Sequence, residues 1–217
     1  MFHLQRLPNI SPSPHPPILP SNYTDATGFD IMSNFTELPA NLPIPVDDGT
    51  CNHLQGLFLP SLTLPSTHNR YVDLSKISGY VVIYCYPMTA QPGILLPEQW
   101  DKIPGARGCT PQSCAFRDHH QEITELKVQV FGLSTQKTEY QIEAAKRLHL
   151  PFELLSDSDL NFSQALKLPI FEIEGKQLLK RVTLIAQAGK IIKVFYPVFP
   201  PDRNPDDVID WLRNNLV

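Results

Sequence analysis

Long apolar runs are missing from this sequence. The most extended, residues 79–86, falls well short of the roughly 20 residues that a membrane-crossing helix needs. Residues 1–10 hold a lone arginine with no apolar stretch behind it, unlike a secretory signal, so a cytoplasmic protein with no membrane partner is expected. A surplus of positive charge is absent too. Lys and Arg number 18 against 22 Asp and Glu, for a net charge of −4. Without a basic field, nucleic acid is not an expected partner. Cysteine is scarce: 4 in 217 residues cannot make a disulfide scaffold. With 42 % apolar and 18 % charged residues, the chain can still bury a sizeable core.

Proline, by contrast, is plentiful, with 22 in all and many of them before residue 66. Each removes a backbone donor and fixes φ, which excludes regular helix and central strand. Residues 1–50 are therefore expected as a proline-rich N-terminal arm, disordered or wrapped over a domain of residues 51–217. Within that domain the pattern alternates. Strands are expected at 70–74, 80–86, 128–133, 152–155, 182–185 and 191–196, and helices at 110–126, 138–148 and 206–216. Pro111 suits a first helical turn, Thr138 is the expected cap of the second helix, and Ala188-Gly189 the turn between the last two strands. This order belongs to the α/β class: a central mixed sheet flanked by helices, which resembles the thioredoxin-like arrangement.

The cysteines are unevenly placed. Cys51 and Cys85 stand alone, whereas Cys109 and Cys114 lie close together, a pattern of redox chemistry or metal binding rather than of a structural staple. Cys109 falls at a strand-to-helix junction, where unpaired N–H groups and the helix dipole favour a thiolate. Lowering a thiol from about 8.5 to about 6 takes roughly 3 to 3.5 kcal/mol, and a helix terminus supplies up to about 2. A positive side chain must contribute the rest; Arg107, Arg117 and Arg181 are the candidates. Cys114 is five residues further along the same helix, about 8 to 9 Å away between Cα atoms by helical geometry. A disulfide needs less than about 7 Å, so bond formation requires the first turn or two to unwind.

Gly108-Cys-Thr-Pro-Gln-Ser-Cys-Ala-Phe-Arg-Asp resembles the peroxiredoxin Q, or bacterioferritin comigratory protein, subfamily. Tyr84-Cys-Tyr-Pro and Lys180-Arg-Val-Thr-Leu-Ile are similar to its flanking segments, so that the resemblance runs from about residue 54 to 216. It implies a thiol peroxidase acting on hydrogen peroxide and organic hydroperoxides, with Cys109 peroxidatic and Cys114 resolving. It also implies Arg181 as the catalytic arginine, no cofactor or metal, and thioredoxin or a similar dithiol as reductant; a monomer or weak homodimer is expected. The family's proline and its Thr or Ser precede the peroxidatic cysteine by seven and three residues, where this chain has Lys102 and Ala106. An insertion between Pro87 and Ala106 accounts for the offset, leaving Pro87 in the proline's role and Thr89 as the hydroxyl candidate, with Thr110 next. Catalytic efficiency or peroxide preference is expected to differ accordingly.

Rival readings are a thiol-disulfide oxidoreductase, disfavoured by the four-residue spacer, and a redox-sensing module with weak peroxidase activity. A zinc site joining the pair to His119 and His120 is a minor alternative. Cys85 is expected as core filler and Cys51 as incidental. Trp100, within the insertion, either lids the site or packs on the surface.

Overall fold

A computed structural model of the chain describes residues 38–216; residues 1–37, most of the expected arm, lie outside it. Two short strands, β1 (Leu64–Pro65) and β2 (Tyr71–Val72), form a small hairpin. The strand expected at 70–74 stops there because Asp73 accepts the Ser75 N–H and caps a 3-10 turn at Leu74–Lys76.

β3 (Tyr80–Cys85) is the middle of the main sheet. Its β-branched and aromatic residues from Val81 onward are all buried, as suits a strand covered on both faces. The crossover to β4 (Val128–Ser134) passes through α1 (Cys109–Asp118) and α2 (His120–Glu125). A second crossover, α3 (Thr138–Arg147), leads to β5 (Glu153–Ser156). Both strand pairs are parallel, Tyr80 opposite Val128 and Phe131 opposite Glu153. After α4 (Asn161–Leu166) come a separate hairpin, β6 (Ile170–Ile173) with β7 (Lys176–Leu179), and then β8 (Val182–Gln187), antiparallel to β3. β9 (Lys190–Phe195) pairs with β8 across Ala188 and Gly189, both at positive φ as that turn requires. α5 (Asn204–Asn215) closes the chain. The order β5-β4-β3-β8-β9 is a mixed five-stranded sheet, the thioredoxin-like α/β arrangement.

Alternation along β3 divides the interior. Val81, Ile83 and Cys85 face one core, completed by the segment from Cys51 to Leu74 and by α4. Val82 and Tyr84 face the other, closed by Phe116, Ile123, Val208 and Leu212. Leu54, Tyr84 and Phe116 each have no exposed surface. Removing any of these from so dense an interior would cost about 2 to 5 kcal/mol.

Three expectations need correction. The helix expected over 110–126 is two helices, because the backbone at His119 leaves helical geometry (φ −94°, ψ 4°) while its ring is held between Glu122 (3.1 Å) and Asp206 (3.4 Å). Thr138 is the first helical residue of α3 rather than its cap; Lys137 occupies the cap position without a side-chain bond. α5 starts two residues earlier than expected, after a 3-10 turn at Pro201–Arg203.

Residues 38–50 form no regular element. They lie along the loop ahead of Cys109, with Pro45 against Gly105 and Leu38 against Gly108. An ion pair from Asp48 to Lys180 (2.7 Å) and a hydrogen bond donated by the Tyr196 hydroxyl (3.0 Å) fasten the stretch.

Candidate active site

The chain enters α1 through Gly108, whose φ of +104° suits glycine alone among the common residues. A Cβ there would also collide with the Pro201 ring and come within 2.8 Å of Leu38. That turn places Cys109 first in the helix.

Cys109 is only 3 % exposed, yet its sulfur has polar company. It accepts from the Met88 N–H (3.4 Å) and from Nη2 of Arg181 (3.3 Å), and as a thiol it donates to the Ala106 carbonyl (3.5 Å). Arg181 is equally buried. Its Nη2 also reaches the carbonyls of Gly105, Ala106 and Arg107, its Nη1 donates to Oε1 of Gln112, and its Nε has no partner. Gln112 in turn donates to Oδ1 of Asn204 (2.9 Å), which also accepts from the Thr183 hydroxyl (2.7 Å). No ion pair joins Arg181 to a carboxylate among the described residues. Arg181 is thus a buried cation with the Cys109 sulfur among its neighbours and no acid beside it among the described residues.

The other two candidate arginines are engaged elsewhere. Arg107 pairs with Asp101 (3.2 Å), and Arg117 with Asp118 (2.8 Å) and the Leu148 carbonyl (2.9 Å). Cys114 is half-buried on the same intact helix. Burial pushes its thiol up, with Arg117 pulling part of the way back. Pro87 is buried two residues past the end of β3. Thr89 is fully buried; its hydroxyl (3.1 Å) and its N–H (2.9 Å) both donate to Oε1 of Gln136, whose amide returns a bond to the Thr89 carbonyl. Thr110 lines the small cavity over the sulfur.

That cavity has a volume of about 10 Å³ and is walled by Met88, Ala90, Leu96, Trp100 and Pro111 with Cys109 at its base. Trp100 is 3 % exposed, walls this cavity and is tilted against Phe171 with ring centroids 6.1 Å apart, so it is not a surface residue. His120 lies against the Phe152 ring (5.6 Å) and His119 is tied to its carboxylates; no cluster of three metal-ligating side chains occurs among the described residues. Cys51 and Cys85 both lie in the core on the opposite face of the sheet, apart from Cys109.

Sequence reasoning missed Gln112, Asn204 and the Met88 amide. Gln112 had one signal, a polar side chain three residues after Cys109 and so on the same helix face. The Met88 donor is backbone and leaves no trace in residue identity.

No helix among the described residues is long and apolar enough to cross a membrane. The Redoxin family profile matches residues 55–209. Peroxiredoxin Q, chloroplastic, from Sedum lineare is 29 % identical over 156 residues, covering 71 % of this chain and 75 % of the relative. Peroxiredoxin Bcp from Escherichia coli K12 is 27 % identical over 169 residues, 74 % of this chain and 96 % of the relative. The solved structure of peroxidoxin BcpB from Mycobacterium tuberculosis shares the fold with a TM-score of 0.62, at 24 % identity over 75 % of this chain and 98 % of that one. With most of its length matched and the thioredoxin-like sheet in place, the chain belongs to the redoxin family as a peroxiredoxin Q/Bcp-like protein.

Proposed function

We propose that the thiol peroxidase cycle of this protein starts at Cys109 and is resolved by Cys114, on hydrogen peroxide and small organic hydroperoxides. The observation that carries this reading is the contact of Arg181 Nη2 with the sulfur at 3.3 Å, made by a buried arginine without an acid partner. The Cys109 thiolate attacks one peroxide oxygen. An S–O bond forms, the O–O bond breaks, and the departing oxygen takes up a proton as water or alcohol. Sulfur is oxidised by two electrons to the sulfenic acid, and Arg181 stabilises negative charge on the sulfur before attack and on the leaving oxygen during it. Cys114, as thiolate, then attacks the Cys109 sulfur; the disulfide forms and hydroxide leaves, becoming water. A dithiol of the thioredoxin type returns both to thiols by exchange.

Thr89 acts one step back from the sulfur. Its clamp on Gln136 holds the loop from which the preceding N–H, that of Met88, points at Cys109. Because α1 is intact with both cysteines free, the disulfide requires its first turns to unwind. The proline-rich stretch of residues 1–50 serves as an arm to the 51–217 domain. A cytoplasmic location rests on the sequence reading alone; since several relatives are named chloroplastic, cell fractionation tests it.

Intact-mass analysis of the reduced protein, treated with one equivalent of hydrogen peroxide and quenched with a thiol alkylator, tests the cycle. Loss of two alkylatable thiols with a Cys109–Cys114 peptide is expected. In Cys114→Ser the first oxidation is expected to persist while multiple turnover stops. Multiple turnover retained in Cys109→Ser would sink the assignment.

A further inference from the structure

Beyond Met88 and Thr89, the insertion between Pro87 and Ala106 contributes Ala90, Leu96 and Trp100 to the cavity at Cys109, and the peroxidase cycle itself uses none of these. From the walls it contributes we infer that it is a size filter, admitting hydrogen peroxide and turning away bulky hydroperoxides, with Trp100 and Leu96 as the specificity-determining side chains. This inference rests on the reading of Cys109 as the peroxide-reactive group.

The cavity's 10 Å³ is about the room that a single water needs. Hydrogen peroxide, with two oxygens and no carbon, can be taken in by small side-chain shifts. An arylalkyl group on the distal oxygen does not fit beside Trp100 and Leu96 as they stand, and Trp100 is closely packed. It is packed with Ala106 and Leu178 in a third apolar cluster and lies against Phe171. The segment around it is fastened at three points. The Glu98 N–H donates to the Glu174 carboxylate on the β6–β7 turn (2.9 Å), Arg107 pairs with Asp101 (3.2 Å), and Arg147 of α3 donates to the Ala90 carbonyl (2.8 Å). Close packing of this kind resists gradual deformation.

A second space lies close to the first. A much larger cleft, about 750 Å³, runs between the start of α3 and the β6–β7 hairpin, and would hold an organic tail by size alone. Met88 is the residue that lines both spaces.

The test is the ratio of second-order rate constants for Cys109 thiol loss with hydrogen peroxide and with cumene hydroperoxide, measured by quenched flow on the reduced full chain. Wild type is expected to favour hydrogen peroxide by about a hundredfold or more, and both Trp100→Ala and Leu96→Ala to reduce that preference at least about tenfold. The ratio cancels any general change in sulfur reactivity. Leu96 is only half-buried, so its truncation gives a readable variant even if Trp100→Ala folds poorly. Comparable wild-type rate constants for the two peroxides, or a preference unchanged by Leu96→Ala, overturn the filter and leave the peroxidase reading standing. No thiol loss with either peroxide overturns both.

Discussion

Cys109 and Cys85 are hidden from solvent to nearly the same degree, at 3 % and 0 % exposure; Cys85 ends the central strand and Cys109 lies in the core on the other face of the sheet. Around Cys85 there is mainly hydrocarbon: Ile83, Leu133, Leu155 and Val182 belong to its core, and burial drives the thiol far up. Cys51, in the same core at 4 % exposure, is pushed up to about 12 by burial, with nearby carboxylates adding to it. Around Cys109 the chain supplies an amide, a guanidinium and the start of a helix. Two faces of one sheet thus hold an inert thiol and, on the reading proposed above, a nucleophile. The direction of the nearest dipoles decides which, because a low-dielectric interior strengthens whatever charge or dipole is aimed at the sulfur.

The sharpest way to break this contrast is to exchange oxygen for sulfur on each face in turn. Cys109→Ser is expected to lower peroxide consumption by at least about a thousandfold, since a serine hydroxyl is not ionised by these groups. Cys85→Ser should leave peroxide consumption within about twofold and instead lower stability by about 1 to 3 kcal/mol, the toll of an unpaired hydroxyl in an apolar core. Peroxide assays and urea unfolding of both variants separate the two outcomes.

Next in size is the guanidinium. Arg181→Met is expected to slow the first oxidation about a hundredfold to a thousandfold, the range seen when one charge-stabilising donor is lost. Arg181→Lys should recover only part, because an ammonium cannot hold Gln112, the loop carbonyls and the sulfur together. Single-turnover stopped flow reads both.

A smaller effect comes from the turn that aims the helix. Gly108→Ala should cost about 1 to 3 kcal/mol, from backbone strain at positive φ and from the clash with Pro201 and Leu38. Thermal melting checks it, and a matching loss is expected in peroxide rate as the sulfur leaves its donors.

The smallest effect is one of pH. An unfolded cysteine titrates near about 8.5, whereas folded Cys51 keeps its proton to about 12. The folded state therefore holds more protons in this window, and stability, fully present below about pH 8.5, falls as pH rises towards 12. Cys51→Ala should flatten that fall, seen as a smaller drop in urea midpoint between neutral and alkaline buffer.

Much of this was legible because the signals were local. The run from Tyr80 to Cys85 announces a buried strand by its β-branched and aromatic content, and Pro111 one residue past Thr110 marks a helix start. α4 and the β6–β7 hairpin were not foreseen. α4 is six residues long, and its first N–H groups are capped by Asp157 from outside the usual cap position, at 2.9 and 2.8 Å to Phe162 and Ser163. Its stability comes from Phe162 and Leu166 packing in the core, which no short window reveals. In the site, Cys109 and Cys114 stood out by spacing and Arg181 only by likeness to a family. Asn204 could not be found, since it reaches Gln112 across 92 positions of sequence.

The interruption at His119 keeps α1 short. α1 is 10 residues long, too short to persist by itself, and it is pinned at its far half by Phe116 stacked on Tyr84 with centroids 4.5 Å apart. Melting at the Cys109 end is therefore bounded on one side by that aromatic stack and on the other by the chain's entry at Gly108. Rewinding so short a stretch takes on the order of 0.1 to 1 μs. A disulfide cycle run through α1 would therefore find the helix rewound within microseconds of each reduction.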